Sequence, residues 1–334
     1  IIVEKSTVPV RTSEKIKQIL RLNNSNVNFQ ILSNPEFLAE GTAMRDLEIP
    51  DRVLIGGDKT IEGEKAIQSL VKIYSSWVPK ENILTTNLWS SELSKLTANA
   101  FLAQRISSIN SLSELCEETG ADIEEVSKAI GMDSRIGSAF LKTSVGFGGS
   151  CFQKDILNLV YISRSLGLDK VAHYWEQILV INSHQRDRFS KKIIDLIRKN
   201  NLDPRVLLLG WAFKKDTNDT RESAAIYVSD NLINNSIRID VYDPKVNKDQ
   251  IDFDLSYLNE NYDKSLVKFI KDPISKISSY SLIAIMTEWD EFKNYDWENI
   301  YKYMRKPAYI FDGRNILDKD KLKSIGFKYV GLGR

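Results

Sequence analysis

Cysteine and histidine are scarce in this 334-residue sequence, and their scarcity excludes two classes of protein. The two cysteines, Cys116 and Cys151, cannot build a disulfide scaffold, so a reducing, cytoplasmic setting is expected. The two histidines, His173 and His184, are too few and too scattered for a zinc site, and no metal is expected. Neither a disulfide-rich secreted domain nor a zinc protein is therefore predicted.

Long apolar runs and an excess of charge of one sign are also missing. No apolar stretch approaches the roughly 20 residues of a transmembrane helix, and there is no secretory hydrophobic region. Lys and Arg number 46 and Asp and Glu number 45, which gives a net charge of +1. This balance gives no reason to expect a nucleic acid or a membrane surface as a partner.

The two common glycine signatures for phosphate binding are absent as well, since the sequence contains neither G-x-G-x-x-G nor a P-loop. The chain opens at Ile1, without Met, inside a predicted strand over 1–7. We therefore expect that a preceding segment is missing from this sequence. The length suits two or three domains.

A glycine-rich stretch over 145–155 is the centre of the prediction, and it reads Val-Gly-Phe-Gly-Gly-Ser-Cys-Phe-Gln-Lys-Asp. Three glycines within four residues predict a loop whose backbone comes close to another group. An amphipathic helix is predicted over 152–167, with an apolar face of Ile156, Leu157, Val160, Tyr161 and Ile162. Cys151 lies at or just before its start, where N–H groups and the helix dipole favour negative charge. Asp155 follows one turn later.

Two interpretations of Cys151 remain open at this point. A thiol beside a carboxylate on a glycine loop is an arrangement for covalent catalysis. The alternative is a buried structural cysteine, because free cysteines usually behave as small hydrophobic residues.

Strands and helices alternate over 1–87, which predicts the end of an α/β domain with a mostly parallel sheet. The segment 33–41, Ser-Asn-Pro-Glu-Phe-Leu-Ala-Glu-Gly, follows a predicted strand. Ligands bind beyond the carboxyl ends of strands in such sheets, so Glu36 and Glu40 are candidate site residues. An ordinary solvated loop is the alternative.

Helical periodicity over about 87–120 predicts a long helix that connects two domains. Lys95 and Asn99 lie one turn apart on it. Asn99 stands in an apolar run, where its amide needs a hydrogen-bond partner or costs about 1–3 kcal/mol. For Lys95 the alternative is a solvated helix charge. Further helices are predicted over 123–130, around 139–142 and over 172–200, with Arg135 in a connection between the first two.

A second alternation over 201–334 predicts a Rossmann-like domain. The apolar run over 206–210 is typical of a buried parallel strand, and the strand over 239–242 ends at Asp243. Between them Lys214, Lys215 and Arg221 form a basic loop suited to a diphosphate. A plain Rossmann-like domain with solvated lysines is the alternative.

Five motifs in this order resemble the UDP-glucose/GDP-mannose dehydrogenase family, and within it the eukaryotic type that acts on UDP-glucose. They are EKSTVPV over 4–10, SNPEFLAEG over 33–41, ELSKLTANAF over 92–101, GFGGSCFQKD over 146–155 and FKKDT over 213–217. The resemblance covers essentially the whole chain. It implies that the intact protein oxidises C6 of UDP-glucose twice, with two NAD+, to give UDP-glucuronate.

The resemblance also implies the fold class and the domains. The fold is expected to be α/β, with two Rossmann-like domains, the first incomplete, joined by a central helical domain with a long connecting helix. Residues 1–87 would be the C-terminal remainder of the NAD-binding domain, 88–200 the dimerisation and catalytic domain, and 201–334 the UDP-sugar-binding domain. Family members begin with a G-x-G-x-x-G turn that this sequence does not contain, so this chain alone is expected to be inactive.

A covalent route follows from the same resemblance. Cys151 would attack the aldehyde to give a thiohemiacetal, a second hydride transfer would give a thioester, and water would release the acid. Lys95 would stabilise oxyanion charge and transfer protons, with Asn99 as its hydrogen-bonding neighbour. Asp155 would position Lys95 and water, and Glu36 would act as acid or base in hydrolysis of the thioester.

Ligand contacts and partners are implied as well. Expected substrate contacts are Phe37, Leu38, Ala39, Glu40, Arg135, Lys142, Val145, Gly146, Phe147, Gly148, Phe213, Lys214 and Arg314. Expected NAD contacts are Ser6, Thr7, Val8, Glu40, Cys151, Lys154 and Arg221. Arg135 would reach the neighbouring subunit's substrate, which implies a homo-oligomer of dimer units, up to a hexamer.

Two other functions stay open. The chain could be a truncated, non-catalytic subunit that binds UDP-sugars, or a dehydrogenase for another nucleotide sugar such as GDP-mannose or a UDP-N-acetyl sugar.

Overall fold

The computed structural model describes residues 1–23 and 27–334, and these fall into two compact units. Unit 1 comprises Ile1–Phe101 and Lys154–Glu176, and unit 2 comprises Leu102–Gln153 and Gln177–Arg334. The domain boundaries expected from the sequence divide the chain differently, and they stay a prediction. No helix within the described ranges is both long enough and apolar enough to cross a membrane.

Unit 1 contains a four-stranded sheet with the strand order β1-β2-β3-β4. The strands are β1 (Ile2–Glu4), β2 (Ile31–Ser33), β3 (Val53–Gly57) and β4 (Ile83–Asn87), and they alternate with helices α1 (Thr12–Asn23), α2 (Ala43–Glu48) and α3 (Ile61–Tyr74). The pairs β1–β2 and β3–β4 are parallel, whereas β2 and β3 are antiparallel. Leu32, Ile55 and Ile67 are buried between this sheet and α3. The predicted mostly parallel sheet is confirmed.

Four helices follow in the middle of the chain: α4 (Leu88–Thr119), α5 (Ile123–Gly131), α6 (Ser150–Ser165) and α7 (Asp169–Lys199). The expected long helix over about 87–120 is therefore present as α4. A buried stripe of Leu96, Ala100 and Ala103 runs along it at the spacing of a helix face.

The prediction of a helix around 139–142 is wrong, because residues 139–140 form a turn and residues 141–142 have no regular secondary structure. The guanidinium of Arg105 donates hydrogen bonds to the carbonyls of Ile136, Gly137 and Ala139, at 2.9, 2.6 and 2.8 Å. These three hydrogen bonds stabilise the turn in this segment. Phe140 has a φ of 60°, in the left-handed region, which also ends any right-handed helix there.

The apolar face predicted for α6 is partly wrong. Ile156 and Val160 are buried, but Leu157 and Tyr161 are 49% and 72% exposed. A buried stripe on a helix takes positions three and four apart, and Leu157 and Tyr161 each lie one position beyond that stripe. Leu159 and Ser163 are buried in their place. The helix also begins at Ser150, two residues before the predicted start.

Unit 2 contains a six-stranded, fully parallel sheet with the order β10-β9-β8-β5-β6-β7. Its strands are β5 (Arg205–Leu209), β6 (Arg238–Tyr242), β7 (Val267–Phe269), β8 (Leu282–Ile285), β9 (Tyr309–Asp312) and β10 (Lys328–Gly331). The helices among them are α8 (Ala224–Asn234), α9 (Lys248–Leu258), α10 (Asp290–Lys293), α11 (Trp297–Tyr303) and α12 (Lys319–Ile325). This order is that of a doubly wound Rossmann sheet, as predicted. The chain adds strands outward from β5 on one side and from β8 on the other, so the switch point lies between β5 and β8. The turns after these two strands therefore lie where such sheets bind ligands.

Candidate active site

A chain of three polar side chains lies inside unit 1. Lys95 and Asn99 stand one turn apart on α4, and Lys95 Nζ donates to Asn99 Oδ1 at 3.3 Å. Asn99 Nδ2 in turn donates to Asp155 Oδ2 at 2.5 Å. All three residues are buried. The expectation that the Asn99 amide needs a partner is confirmed, and this amide joins the lysine to the carboxylate.

Asp155 is fully buried, and this burial raises the pKa of its carboxyl group above the ordinary value. The hydrogen bond from Asn99 acts in the opposite direction, as do the charges of Lys154, at 3.8 Å, and Lys95. Desolvation is the largest of these effects. Asp155 therefore holds a proton at a higher pH than an exposed aspartate does, which suits a group that exchanges protons.

The loop after β2 places Glu36 beside Lys5, with 3.5 Å between the carboxylate and Lys5 Nζ. Lys5 Nζ also donates to Asn34 Oδ1 and to the hydroxyl of Tyr74, each at 3.0 Å. Glu36 is partly exposed at the carboxyl end of β2. It thus lies at the edge of the sheet where the sequence predicts a site residue.

Phe37, the next residue, contacts two cations. The centroid of its ring lies 5.3 Å from Lys95 Nζ and 3.8 Å from the Arg52 guanidinium carbon. Cations are attracted to an aromatic face at such distances. The structure therefore brings the 33–41 motif and the Lys95 motif together, and it adds Arg52, which the sequence did not single out.

The other expected residues of unit 1 lie on segments near the same sheet edge. Ser6, Thr7 and Val8 follow β1, which is parallel to β2. Leu38 is half-buried, whereas Ala39 and Glu40 are exposed, and the Ala39 N–H donates to Asp46 Oδ2. The Lys154 side chain is 55% exposed.

Unit 2 contains the glycine loop, which we define as residues 145–149. The Val145 N–H donates to the Gly313 carbonyl, and the Gly149 N–H donates to the Arg221 carbonyl, both at 2.7 Å. A Cβ atom on Gly148 would lie 2.6 Å from the Glu222 carbonyl oxygen, so no larger residue fits there. The close backbone approach predicted for this loop is confirmed.

Cys151 lies in the first turn of α6 and is exposed. Its Sγ atom is 3.8 Å from the hydroxyl of Ser150. The alternative of a buried structural cysteine is therefore wrong for Cys151, whereas Cys116 is such a residue. An accessible thiol can meet a substrate; its role as the nucleophile stays a prediction.

The turns after β5, β8 and β9 bring Phe213 and Arg314 together. The Arg314 guanidinium donates to the carbonyls of Phe213, at 2.5 Å, and Met286, at 2.9 Å. Lys214 Nζ lies 5.4 Å from the Phe213 ring. Three expected substrate contacts therefore lie at the switch point of the sheet. Of the other basic residues here, Lys215 pairs with Asp290 and Arg221 with Asp219.

Asp312, which the sequence did not single out, anchors the turn that carries Arg314. Its buried carboxylate accepts the N–H groups of Arg314, Ile316 and Leu317 at 3.0, 2.9 and 2.9 Å. Burial raises the pKa of this carboxyl group, and the three backbone donors oppose that shift. An acidic residue at the last position of a strand was the available signal.

Asp243, at the end of β6, is turned inward. Its carboxylate accepts the N–H groups of Trp211 and Ala212, which follow β5, at 2.6 and 3.0 Å. The opposite oxygen accepts the N–H groups of Lys245 and Val246. Asp243 is buried and closes the turn between β5 and α8 from within.

Two expected substrate residues stand apart from these contacts. The Arg135 side chain is 87% exposed and pairs with Asp133 at 2.6 Å. Lys142 is also exposed. The turn that carries Arg135 is held by Arg105, as described for the overall fold.

Comparison with known proteins gives matches along the whole chain. Three domains of the UDP-glucose/GDP-mannose dehydrogenase family match: the NAD binding domain at residues 1–78, the central domain at 89–184 and the UDP binding domain at 207–319. The UDP-glucose 6-dehydrogenase of Bos taurus is 56% identical over 100% of this chain and 69% of its own length. UDP-glucose 6-dehydrogenase 1 of Glycine max is 53% identical over 100% of this chain and 72% of its own length.

Solved structures give the same result. A UDP-glucose dehydrogenase from Pyrobaculum islandicum superposes with a TM-score of 0.81 and 30% identity, over 98% of this chain and 69% of that one. Since motifs, sheet order and sequence identity all agree, the chain belongs to the UDP-glucose/GDP-mannose dehydrogenase family.

Proposed function

We propose that this protein is an NAD-dependent dehydrogenase that oxidises UDP-glucose to UDP-glucuronate. The observation that carries the proposal is the 56% identity, over the whole chain, to proteins named UDP-glucose 6-dehydrogenase. The buried Lys95–Asn99–Asp155 chain and the exposed Cys151 are consistent with this chemistry.

Cys151 provides the nucleophile in this proposal. Oxidation of the C6 alcohol gives an aldehyde, and the Cys151 sulfur adds to its carbon to form a thiohemiacetal. Loss of a second hydride converts that adduct into a thioester, and attack by water breaks the C–S bond to release the carboxylate and the thiol. NAD+, when bound, accepts each hydride. An exposed thiol in the first turn of α6 is accessible for the addition.

Lys95 acts in this proposal on the oxygen at C6. Its ammonium group stabilises the negative charge that develops on that oxygen, and it exchanges protons with it. Asn99 accepts from Nζ and donates to Asp155, so Asp155 positions Lys95 through Asn99, and it also positions water. Glu36, partly exposed at the carboxyl end of β2, serves as the acid or base for hydrolysis of the thioester.

The ligand contacts are part of the same proposal. Substrate residues are Phe37, Leu38, Ala39, Glu40, Arg135, Lys142, Val145, Gly146, Phe147, Gly148, Phe213, Lys214 and Arg314. NAD residues are Ser6, Thr7, Val8, Glu40, Cys151, Lys154 and Arg221. Support comes from the Ser6–Val8 segment, which leaves β1 at the carboxyl edge of parallel strands, where dinucleotides bind in such sheets.

We further infer a homo-oligomer built of dimer units, up to a hexamer, in which Arg135 reaches the substrate of a neighbouring subunit. Its exposed guanidinium, on a turn held by three Arg105 hydrogen bonds, supports this inference. A catalytic thiol must also stay reduced, which favours the cytoplasm. The domain boundaries 1–87, 88–200 and 201–334 are proposed with these roles.

The test is a turnover assay of the whole natural protein with UDP-glucose and NAD+. We expect two NADH for each UDP-glucuronate, with the product identified by mass. A panel with GDP-mannose and UDP-N-acetyl sugars should give far slower turnover. Binding of UDP-glucose without formation of NADH would contradict the proposed activity and favour a non-catalytic subunit. Faster turnover of another nucleotide sugar would contradict the proposed substrate.

A further inference from the structure

Two side chains on α7, Asn182 and Arg186, hold the backbone of the glycine loop. Asn182 Oδ1 accepts the Phe147 N–H at 2.9 Å, and Asn182 Nδ2 donates to the Phe147 carbonyl at 3.1 Å. Arg186 donates to the same carbonyl at 2.6 Å. The two residues lie one helical turn apart and are 2% and 4% exposed. We call this pair the α7 clamp.

Arg186 also reaches a second segment. The same Nη2 atom donates to the Glu222 carbonyl at 3.0 Å. Glu222 has a φ of 55°, which is a left-handed conformation uncommon for a residue other than glycine. One guanidinium therefore ties the glycine loop to the loop that begins at Phe213 and ends at Glu222.

The surroundings of Arg186 are those of a charge kept in the interior. Its guanidinium carbon lies 4.2 Å from the centroid of the Tyr227 ring, and the Tyr227 hydroxyl donates to the Glu222 carboxylate at 2.5 Å. Burial lowers the pKa of Arg186, and the charge of Glu222 opposes this shift. Burying a charge costs free energy unless the charge is well paired. If this position had no other role, an apolar residue here would therefore cost less free energy than an arginine.

The glycine loop packs closely against the clamp. A Cβ atom on Gly146, where φ is 122°, would lie 2.9 Å from Asn182 Oδ1 and 3.4 Å from Arg186 Cγ. A Cβ atom on Gly148 would lie 2.8 Å from Phe213 Cβ. The position of the loop is thus determined jointly by α7 and by the 213–222 loop.

We propose that Asn182 and Arg186 are positioning residues for UDP-glucose. They act through the backbone of Phe147 and Glu222, and they hold the two substrate-binding loops in a fixed position relative to each other. This inference rests on the proposed function, in which Phe147, Gly148 and Phe213 contact the substrate. Neither residue belongs to the five motifs that the sequence singles out.

Arg186→Lys in the whole protein is the first test. A lysine keeps the charge, but its single ammonium group cannot reproduce the planar guanidinium contacts to both carbonyls and the Tyr227 ring. We expect the Kd and the KM for UDP-glucose to rise about tenfold or more, with kcat at saturating UDP-glucose within threefold of the original protein. Calorimetry and steady-state kinetics measure these values.

Arg188→Lys is the matched control. Arg188 lies two residues further along α7 and is also buried, but its guanidinium donates to Glu117, Ser113 and Gln185. We expect this variant to lose thermal stability to a similar extent while its Kd for UDP-glucose stays within twofold. An equal loss of UDP-glucose binding in both variants would overturn the proposal, because it would show a merely structural role.

Asn182→Asp tests the clamp independently of Arg186, and it decides the matter if Arg186→Lys does not fold. Aspartate keeps the acceptor for the Phe147 N–H but loses the donor to the Phe147 carbonyl. Its Kd for UDP-glucose should also rise about tenfold. If the original protein binds and oxidises UDP-glucose but the folded variants bind it equally well, only the proposal about the clamp is overturned. An original protein that does not oxidise UDP-glucose would contradict the proposed function instead.

Discussion

Asn99 donates a 2.5 Å hydrogen bond to Asp155, and the two residues are separated by 56 positions in the sequence. The bond connects the long helix α4 to the helix that begins at the glycine loop. Through Asn99, the buried carboxylate of Asp155 and the ammonium of Lys95 share one amide. This arrangement is the structural basis for the predictions on Asp155 and Asn99.

Replacing Asp155 by asparagine should lower turnover of UDP-glucose about a hundredfold, because the carboxylate that positions the proton-transferring Lys95 through Asn99 is lost. The variant should also change how stability depends on pH. Burial raises the pKa of Asp155 in the folded protein, so its stabilising contribution is complete below the unfolded pKa of about 3.9 and declines as pH rises through the folded pKa. Chemical denaturation at a series of pH values should show this decline in the original protein and not in Asp155→Asn.

Asn99→Ala is the companion variant. It removes a hydrogen bond that lowers the pKa of Asp155, so the decline in stability should move to higher pH. Superimposable pH profiles for the original protein and both variants would contradict the role of Asp155.

Replacing Cys151 by serine should abolish formation of UDP-glucuronate, because no thioester can form. Product analysis by mass spectrometry measures this loss. Cys116→Ala is the control: Cys116 is buried, and we expect a modest loss of stability with turnover retained. Normal UDP-glucuronate formation by Cys151→Ser would refute the nucleophile.

Replacing Glu36 by glutamine should slow hydrolysis of the thioester more than its formation. After mixing with UDP-glucose and NAD+, we expect an acylated Cys151 to accumulate, visible as a mass increase on the peptide that contains it. Glu48→Gln, at an exposed position on α2, should leave turnover unchanged. If Glu36→Gln shows no acylated peptide and its turnover is undiminished, Glu36 has no role in the mechanism.

Replacing Gly148 by alanine should weaken UDP-glucose binding about tenfold and cost about 1–3 kcal/mol of stability. The new Cβ atom would lie 2.6 Å from the Glu222 carbonyl oxygen and would push the two loops apart. Gly167→Ala provides a comparison, since Gly167 has a φ of 73° but open space around it. We expect that variant to cost about 1 kcal/mol and to bind UDP-glucose normally. Calorimetry and thermal unfolding measure both quantities.

Patterns local in the sequence predicted the folded structure well where local physics decides. The alternation of apolar strands and helices gave the Rossmann-like sheets, and the glycine spacing gave the loop with a close backbone approach. The isolated amide of Asn99 correctly indicated a partner, although only the fold shows that this partner is Asp155.

The sequence failed where a distant residue decides. Nothing near 139–142 shows that Arg105, over 30 positions earlier, would donate three hydrogen bonds to the backbone carbonyls of this turn. Leu157 and Tyr161 resemble core residues by type, but their exposure depends on what packs against α6. Asn182 and Arg186 lie in an ordinary helical pattern, so their contacts with Phe147 have no sequence signal.

The inward position of Asp243 has a consequence for how a nucleotide can be held. In many Rossmann-like folds, free backbone amides after the first strand receive the diphosphate. Here the N–H groups of Trp211 and Ala212 already donate hydrogen bonds to the carboxylate of Asp243. We therefore expect recognition of a diphosphate by this sheet to rely more on the basic side chains of Lys214, Lys215 and Arg221, so that its affinity for UDP falls as salt concentration rises.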